Sequence, residues 1–170
     1  TEAHRCLDCK KPTCVQGCPV NINIPGFIKQ LELGNILAAS EVIKQSSTLP
    51  AVCGRVCPQE KQCEAQCIHI KMGHEPVAIG YLERFVADNA YALDTNVSKT
   101  SQQPNTTNAK RIAVVGSGPA GLAFAGDMAK LGYTVTVFEA LHEIGGVLKY
   151  GIPEFRLPNS VVDREIEGLR

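Results

Sequence analysis

The sequence predicts two units of different class: a mainly helical N-terminal part built around a metal or cluster site, then an α/β part containing a parallel sheet. Three observations carry this. All eight cysteines fall in the first part, as Cys6, Cys9, Cys14 and Cys18, then Cys53, Cys57, Cys63 and Cys67. Around them, apolar residues recur at helical spacing. Beyond residue 110 come a β-branched run, a glycine-rich turn, a helical pattern and a second β-branched run, the order of a βαβ unit. The expected boundaries are 1–93 for the helical unit, 94–109 for a linker and 110–170 for the α/β unit.

The elements follow in chain order. Residues 1–20 are rich in cysteine and turn-like, punctuated by Pro12, Gly17 and Cys18-Pro19. Pro25 suits the first turn of a helix, where its missing N–H costs nothing. Phe27, Ile28 and Leu31 continue that helix until Gly34-Asn35. A second helix is expected over 36–46, with Ile36, Ala39, Val42 and Ile43 on one face. Pro50 opens the second cysteine group. A third helix is expected from near Pro76 to about 91, with Ile79, Leu82, Phe85 and Val86 as its apolar stripe. Glu83 lies at the edge of that stripe, where a carboxylate is partly buried and needs a partner. Residues 94–109 are polar and aperiodic, as a linker would be. Arg111–Val115 then reads as a buried parallel strand, 120–131 as a helix, 133–138 as a second strand closed by Glu139, and 160–169 as a short helix.

Bulk composition narrows the function. The chain is 44% hydrophobic and 20% charged, with a formal net charge of zero. Binding of nucleic acid or an anionic membrane needs clustered positive charge, so neither is expected. No apolar run approaches a membrane span, and the stretch TEAHRCLDCK has no apolar core of a secretory signal. The expected compartment is the cytoplasm, where thiols stay reduced.

Eight cysteines at short spacing suit two four-ligand sites. The gaps in the first group are two, four and three residues, and Cys18 is followed by proline. Short loops ending in Cys-Pro wrap [4Fe-4S] cubanes, and in two-cluster ferredoxins the last cysteine of such a run serves the other cluster. By that logic Cys18 leaves for a second cluster and Cys67 returns to the first. Structural zinc is the second reading, although only Cys6 and Cys9 have the C-x2-C spacing of a tetrahedral site. A disulfide framework is the third.

The run Gly116-Ser117-Gly118-Pro119-Ala120-Gly121 matches G-x-G-x-x-G. In that motif the first glycine makes the tight turn, the second lets the backbone approach a pyrophosphate and the third lets helix and strand pack closely. A strand before it, a helix after it and an acid, Glu139, closing the next strand are the context that the motif requires. Glu139 is expected to accept from an adenosine ribose hydroxyl. The glycines do not choose between FAD and NAD.

The stretches CLDCKKPTCVQGCPVNINIPGFI, LPAVCGRVCPQEKQCEAQC, PVAIGYLERF, VVGSGPAGLA and GGVLKYGIPEFRLP together resemble one family. It comprises the small subunit of NAD(P)H-dependent glutamate synthase, the N-terminal half of dihydropyrimidine dehydrogenase and the large subunit of NADH-dependent ferredoxin:NADP oxidoreductase. The resemblance implies a two-cluster iron–sulfur domain followed by a Rossmann-type FAD domain. It assigns Cys6, Cys9, Cys14 and Cys67 to one [4Fe-4S] cluster. Cys18, Cys57 and Cys63 fall to the other, with Glu83 as the non-cysteine ligand. The alternative makes Cys53 that ligand and Glu83 a surface charge. By similarity Gly116, Gly118, Pro119, Ala120, Gly121, Glu139, Gly145, Gly146, Val147 and Leu148 line the FAD site.

In this family hydride from NAD(P)H reduces FAD, and single electrons pass through the clusters to a partner, such as a large glutamate-synthase-type subunit or another acceptor protein. The resemblance also implies that the sequence is an N-terminal piece, whose NAD(P)H domain lies in the missing part. Such a piece is expected to be inactive alone, to bind flavin poorly and to self-associate through exposed strand edges. The alternative from another class is a structural zinc-binding interaction module with a non-binding Rossmann remnant. Remaining residues read as ordinary: Tyr81 and Phe85 as core packing, Arg55, Lys10 and Lys11 as solvated charges, His69 as a solvated loop histidine.

Overall fold

The computed structural model describes residues 1–94 and 110–169. The chain divides into two compact units, Thr1–Ser98 and Lys99–Arg170. The expected linker lies outside the described residues, except that Asp94 is the last residue of a helix.

The first unit is helical. Its helices are α1 (Thr13–Gln16), α2 (Ile24–Glu32), α3 (Ile36–Lys44), α4 (Pro50–Val56), α5 (Ile68–Lys71) and α6 (Ile79–Asp94). Asn23 starts α2: its side chain accepts a 3.1 Å hydrogen bond from the Gly26 N–H, one of the donors a helix start leaves unsatisfied. Gly34, at φ +81°, ends it in a left-handed turn that a side chain disfavours. Helix α2 packs on α3, and both α3 and α4 pack on α6. Phe27, Ile28, Ile43 and Val86 are fully buried at the centre. Burial of side chains of this size contributes about 1.5–3 kcal/mol each. Cys63 and Cys67 belong to the same apolar core.

Several sequence readings need correction here. Helix α4, which carries Cys53, forms in a stretch read only as cysteine-rich. The third expected helix starts at Ile79 rather than near Pro76. Its buried stripe is Ile79, Leu82, Glu83, Val86 and Ala90, so Glu83 sits in the middle of the stripe at 5% exposure. Phe85 falls outside it at 47% exposure and Tyr81 at 76%, so neither packs in the core. The α3 and α4 contacts on α6 fix which arc is covered, and residues 81 and 85 lie on the other arc. Arg55 is no solvated charge: its side chain is 6% exposed and pairs with Asp88 at 2.8 Å, tying α4 to α6.

The second unit is a βαβ unit. Strands β1 (Arg111–Val115) and β2 (Thr134–Phe138) run parallel, Arg111 opposite Thr134 and Val115 opposite Phe138. Helix α7 (Pro119–Lys130) connects them and buries Leu122 and Ala125. Two further helices follow, α8 (Val147–Tyr150) and α9 (Asn159–Glu167), the latter burying Val161, Val162 and Ile166. Strand β1 was expected to be buried on both faces. Val114 is buried but Val115 is 89% exposed, because among the described residues the sheet has two strands. No helix among the described residues is long and apolar enough to cross a membrane.

Candidate functional site

The unit Thr1–Ser98 brings its eight cysteines to two places, and none of them forms a disulfide. Cys6, Cys9, Cys14 and Cys67 line one pocket. The loop Cys6–Cys9 is shaped by Asp8, which adopts a left-handed conformation at φ +46°. Helix α1 carries Cys14, and the Thr13 hydroxyl donates to the Gln66 carbonyl just before Cys67. That bond joins chain segments more than fifty residues apart in sequence. Apolar side chains of Ile24, Ile28, Val77 and Ile79 wall the pocket.

Electrostatics reports the same convergence. Burial is the main cause that pushes the Cys14 thiol up to about 11, and the neighbouring Cys6 and Cys67 add to it. The Cys6 thiol is raised by burial and by Cys9, Asp8 and Cys67, against a backbone N–H that lowers it. Thiolates held this close repel one another and have little water to stabilise them. A coordinated metal would supply the positive charge that such a set lacks.

The second place gathers Cys18, Cys57, Cys63 and Glu83. Burial pushes Cys63 up to about 12, with Glu64, Glu83 and Cys18 contributing. Cys57 moves the other way: its pKa is lowered by a hydrogen bond from the Cys53 side chain, against burial, Glu83, Cys18 and Cys63. Glu64 has a different task, because its carboxylate accepts a 3.0 Å bond from Gly80 N–H at the start of α6. Glu2 does the same for Ala78 N–H at 2.9 Å. Arg5 donates to the Glu75 and Pro76 carbonyls, so the N-terminal turn is stapled to the start of the helix that presents Glu83.

Among the described residues, no three His, Cys, Asp or Glu side chains converge tightly enough to grip a single metal ion. Four thiols on one pocket make a soft donor set of the kind that holds an iron–sulfur cluster or zinc.

His69 is another correction. It is no solvated loop side chain: it lines the first pocket and is hydrogen-bonded through Nε2 to the Arg5 carbonyl at 2.7 Å. The sequence signal was its place two residues after Cys67, where a one-turn helix, α5, swings it inward.

In the second unit the glycine loop, Glu139 and the Gly145-Gly146 turn meet. Gly116 has φ +95°, and its N–H donates to the Phe138 carbonyl at 2.8 Å. A Cβ on Gly121 would run into the Gly116 carbonyl, so helix and strand approach as closely as this motif requires. Gly118 precedes α7 and faces open space, so a backbone approach is possible there. Gly146 packs on it: a Cβ on Gly146 would lie 2.9 Å from Gly118 Cα. Pro119 and Ala120 form the first turn of α7, Val147 is 54% exposed and Leu148 is buried.

Sequence reasoning missed the residue that ties these parts together, Ser117. It is fully buried. Its N–H donates to Glu139 Oε2 at 2.8 Å, its hydroxyl donates to the same oxygen, and its hydroxyl oxygen accepts from Gly145 N–H at 3.1 Å. Leu141 N–H donates to Glu139 Oε1 at 2.9 Å. These donors, the Ser117 hydroxyl first, hold the Glu139 pKa down at about 2. The only signal was a serine inside a glycine motif, which composition cannot distinguish from a spacer.

Clustered thiols in a helical unit and a glycine loop on a βαβ unit define an iron–sulfur protein with a nucleotide-binding domain. Comparison with known proteins gives the particular family. Residues 1–95 match the family model described as dihydropyrimidine dehydrogenase domain II, 4Fe-4S cluster, and residues 114–166 match an NAD(P)-binding Rossmann-like domain. The chain belongs to that dihydropyrimidine dehydrogenase domain II family. It is 41% identical to the glutamate synthase [NADPH] small chain of Halomonas elongata over 165 residues, 96% of this chain and 34% of that protein. It is 40% identical to the NAD-dependent dihydropyrimidine dehydrogenase subunit PreT of Escherichia coli K12 over 168 residues, 99% of this chain and 40% of that protein. The small chain from Azospirillum brasilense is 38% identical over the same length. The chain thus spans between 34% and 40% of the length of these relatives.

Proposed function

We propose that this chain is the electron-transfer part of an NAD(P)H-dependent flavo-iron–sulfur oxidoreductase, most like the glutamate synthase small subunit. The observation that carries the reading is the convergence of Cys6, Cys9 and Cys14 with the distant Cys67 in one apolar pocket. In this reading those four cysteines hold one [4Fe-4S] cluster. Cys18, Cys57, Cys63 and Glu83 hold the second. The loop Gly116–Gly121, Glu139 and the segment Gly145–Leu148 take FAD. The Gly-Pro-Ala-Gly sequence supports a flavin over a nicotinamide at this loop, with NAD(P)H as the hydride donor. When bound, flavin and clusters supply the conversion of a hydride into single electrons.

The chain's own contribution is positional. The apolar walls keep water from the first pocket, and burial of Cys63 and Glu83 does the same at the second. Ser117 holds Glu139 ionised and aimed along the loop. The acceptor is a large glutamate-synthase-type subunit or another acceptor protein. The cytoplasm, a reducing compartment, is where eight such thiols and their clusters persist. Val115 and Phe138, both exposed on the two-stranded sheet, support self-association of the chain by itself.

Iron, acid-labile sulfide and zinc analysis of anaerobically purified protein tests this. About eight irons and eight sulfides per chain are expected, two cubanes' worth. Zinc without sulfide would sink the electron-transfer reading. The Glu83→Ala variant is expected to lose or convert one cluster while the other keeps its full iron. An unchanged iron count in that variant removes Glu83 from the ligand set.

A further inference from the structure

The Gly145-Gly146 turn beside the glycine loop is held down by one side chain, Lys149 of α8. Although charged, that side chain is only 11% exposed. Its Nζ donates to Glu143 Oε2 at 2.8 Å, ahead of the turn, and to Asp163 Oδ1 at 2.5 Å, on α9. Its methylene stem runs over Gly145: a Cβ there would lie 3.2 Å from Lys149 Cγ and 3.3 Å from Val162 Cγ1 of α9. The Glu143 N–H donates to the Tyr150 hydroxyl at 3.0 Å, which closes the same loop. Gly145 and Gly146 have φ of +130° and +54°, conformations that glycine alone adopts readily. On its other side the turn meets the loop, through Gly145 N–H on Ser117 Oγ and through Gly146 against Gly118 Cα. Gly118 is otherwise open, since a Cβ there would meet no heavy atom within 4 Å.

We propose that Lys149 is a positioning residue of the dinucleotide site, a strap that holds the Gly145-Gly146 turn against the glycine loop with Glu143 and Asp163 as its two anchors. This rests on the assignment of the loop and of Gly145–Leu148 to FAD made above. Two glycines in a row carry more backbone freedom than any other pair, and ordering them on binding weakens affinity. The strap orders them beforehand. Its stem covers Gly145, while the ammonium, largely withdrawn from water, is paired on both sides of the turn. Asp163 makes α9 part of the site's support. An ion pair that merely docked α9 would change the stability of the unit; a strap also changes the order of the turn and the affinity of the loop beside it.

The test compares wild type with Lys149→Met, Asp163→Asn and Lys149→Arg. Hydrogen-exchange mass spectrometry reads the segment 143–151 without flavin, and calorimetric titration with FAD reads affinity. In Lys149→Met the segment is expected to exchange about fivefold faster and FAD to bind about fivefold more weakly, while β1 and β2 keep their protection. Asp163→Asn moves both readings in the same direction by less, because Glu143 still anchors the ammonium. Lys149→Arg, which can reach both carboxylates, returns both towards wild type. Lys130→Met, which removes an exposed pair with Asp127 on α7, leaves both where they are. Wild-type exchange in Lys149→Met and Asp163→Asn overturns the proposal, and so does a loosening shared equally by β1 and β2. Faster exchange with unchanged FAD affinity also overturns it. Should Lys149→Met fail to fold, Asp163→Asn decides alone. Wild type that takes up no FAD refutes the flavin reading and the proposal with it, a result separate from the exchange comparison, which needs no flavin.

Discussion

Gly121→Ala isolates the mechanics of the glycine loop. The added Cβ would face the carbonyl oxygen of Gly116 far inside the 3.0 Å that real Cβ atoms keep, with Gly116 C at 3.1 Å and Val114 Cγ1 at 3.4 Å behind it. The first obstacle is backbone at the end of β1, not the tip of a flexible side chain, so it cannot swing away. Helix α7 must lift off the strand, and Leu122, Ala125 and Val114 lose part of their burial. Overpacking against rigid neighbours costs about 1–3 kcal/mol, and this geometry belongs at the upper end. For a unit of this size each kcal/mol is about 4–8 °C in melting temperature, so a fall of roughly 15 °C is expected for the second unit. Hydrogen exchange at the β1 and β2 amides, read beside thermal unfolding, localises the loss. The iron content should stay at the wild-type value, because the cysteines lie in the other unit. A loss below about 1 kcal/mol would refute the argument that close helix–strand approach dictates this glycine.

Three further outcomes follow from the geometry. In Ser117→Ala the Glu139 pKa rises from about 2, because its largest stabilising donor is gone. The wild-type folded value lies below the ordinary 4.5, so the stabilisation is complete above 4.5 and disappears as pH falls through about 2. Unfolding curves between those limits should show the variant losing less stability than wild type as pH falls, its pH dependence ending at a higher pH. In metal-free protein at pH 8, Cys57 should be alkylated before Cys14 and Cys63, whose values of about 11 and 12 keep them protonated; peptide mapping after brief iodoacetamide treatment reads the order. Arg55→Met removes the buried partner of Asp88. Because Asp88 is 34% exposed the expected cost is about 2 kcal/mol, below that of a fully buried pair, measured as a shift in urea midpoint.

Much of this was legible in the sequence because it depends on local chemistry. The helices around Phe27 and Ile43 follow from apolar spacing plus Asn23 and Gly34, and the βαβ unit from two β-branched runs flanking a glycine motif. A period of 3.6 does not say how wide the covered arc is, so Phe85 and Glu83 exchanged roles. A cysteine-rich run masked the periodicity of α4.

The sequence by itself determined the thiol count, their spacing, the glycine loop and the acid that closes the next strand, all of them set by residues within one turn or strand of each other. Tertiary structure is what brings Cys67 to Cys6, Cys9 and Cys14 in one pocket, as the ferredoxin pattern led one to expect, and it alone decided that Glu83 is buried in the middle of its helix stripe and that Ser117 joins the loop to Glu139 and Gly145. Those relations depend on which surfaces pack together. Packing is fixed by the burial of residues far apart in the chain, such as Phe27, Ile43 and Val86, which no local pattern pairs.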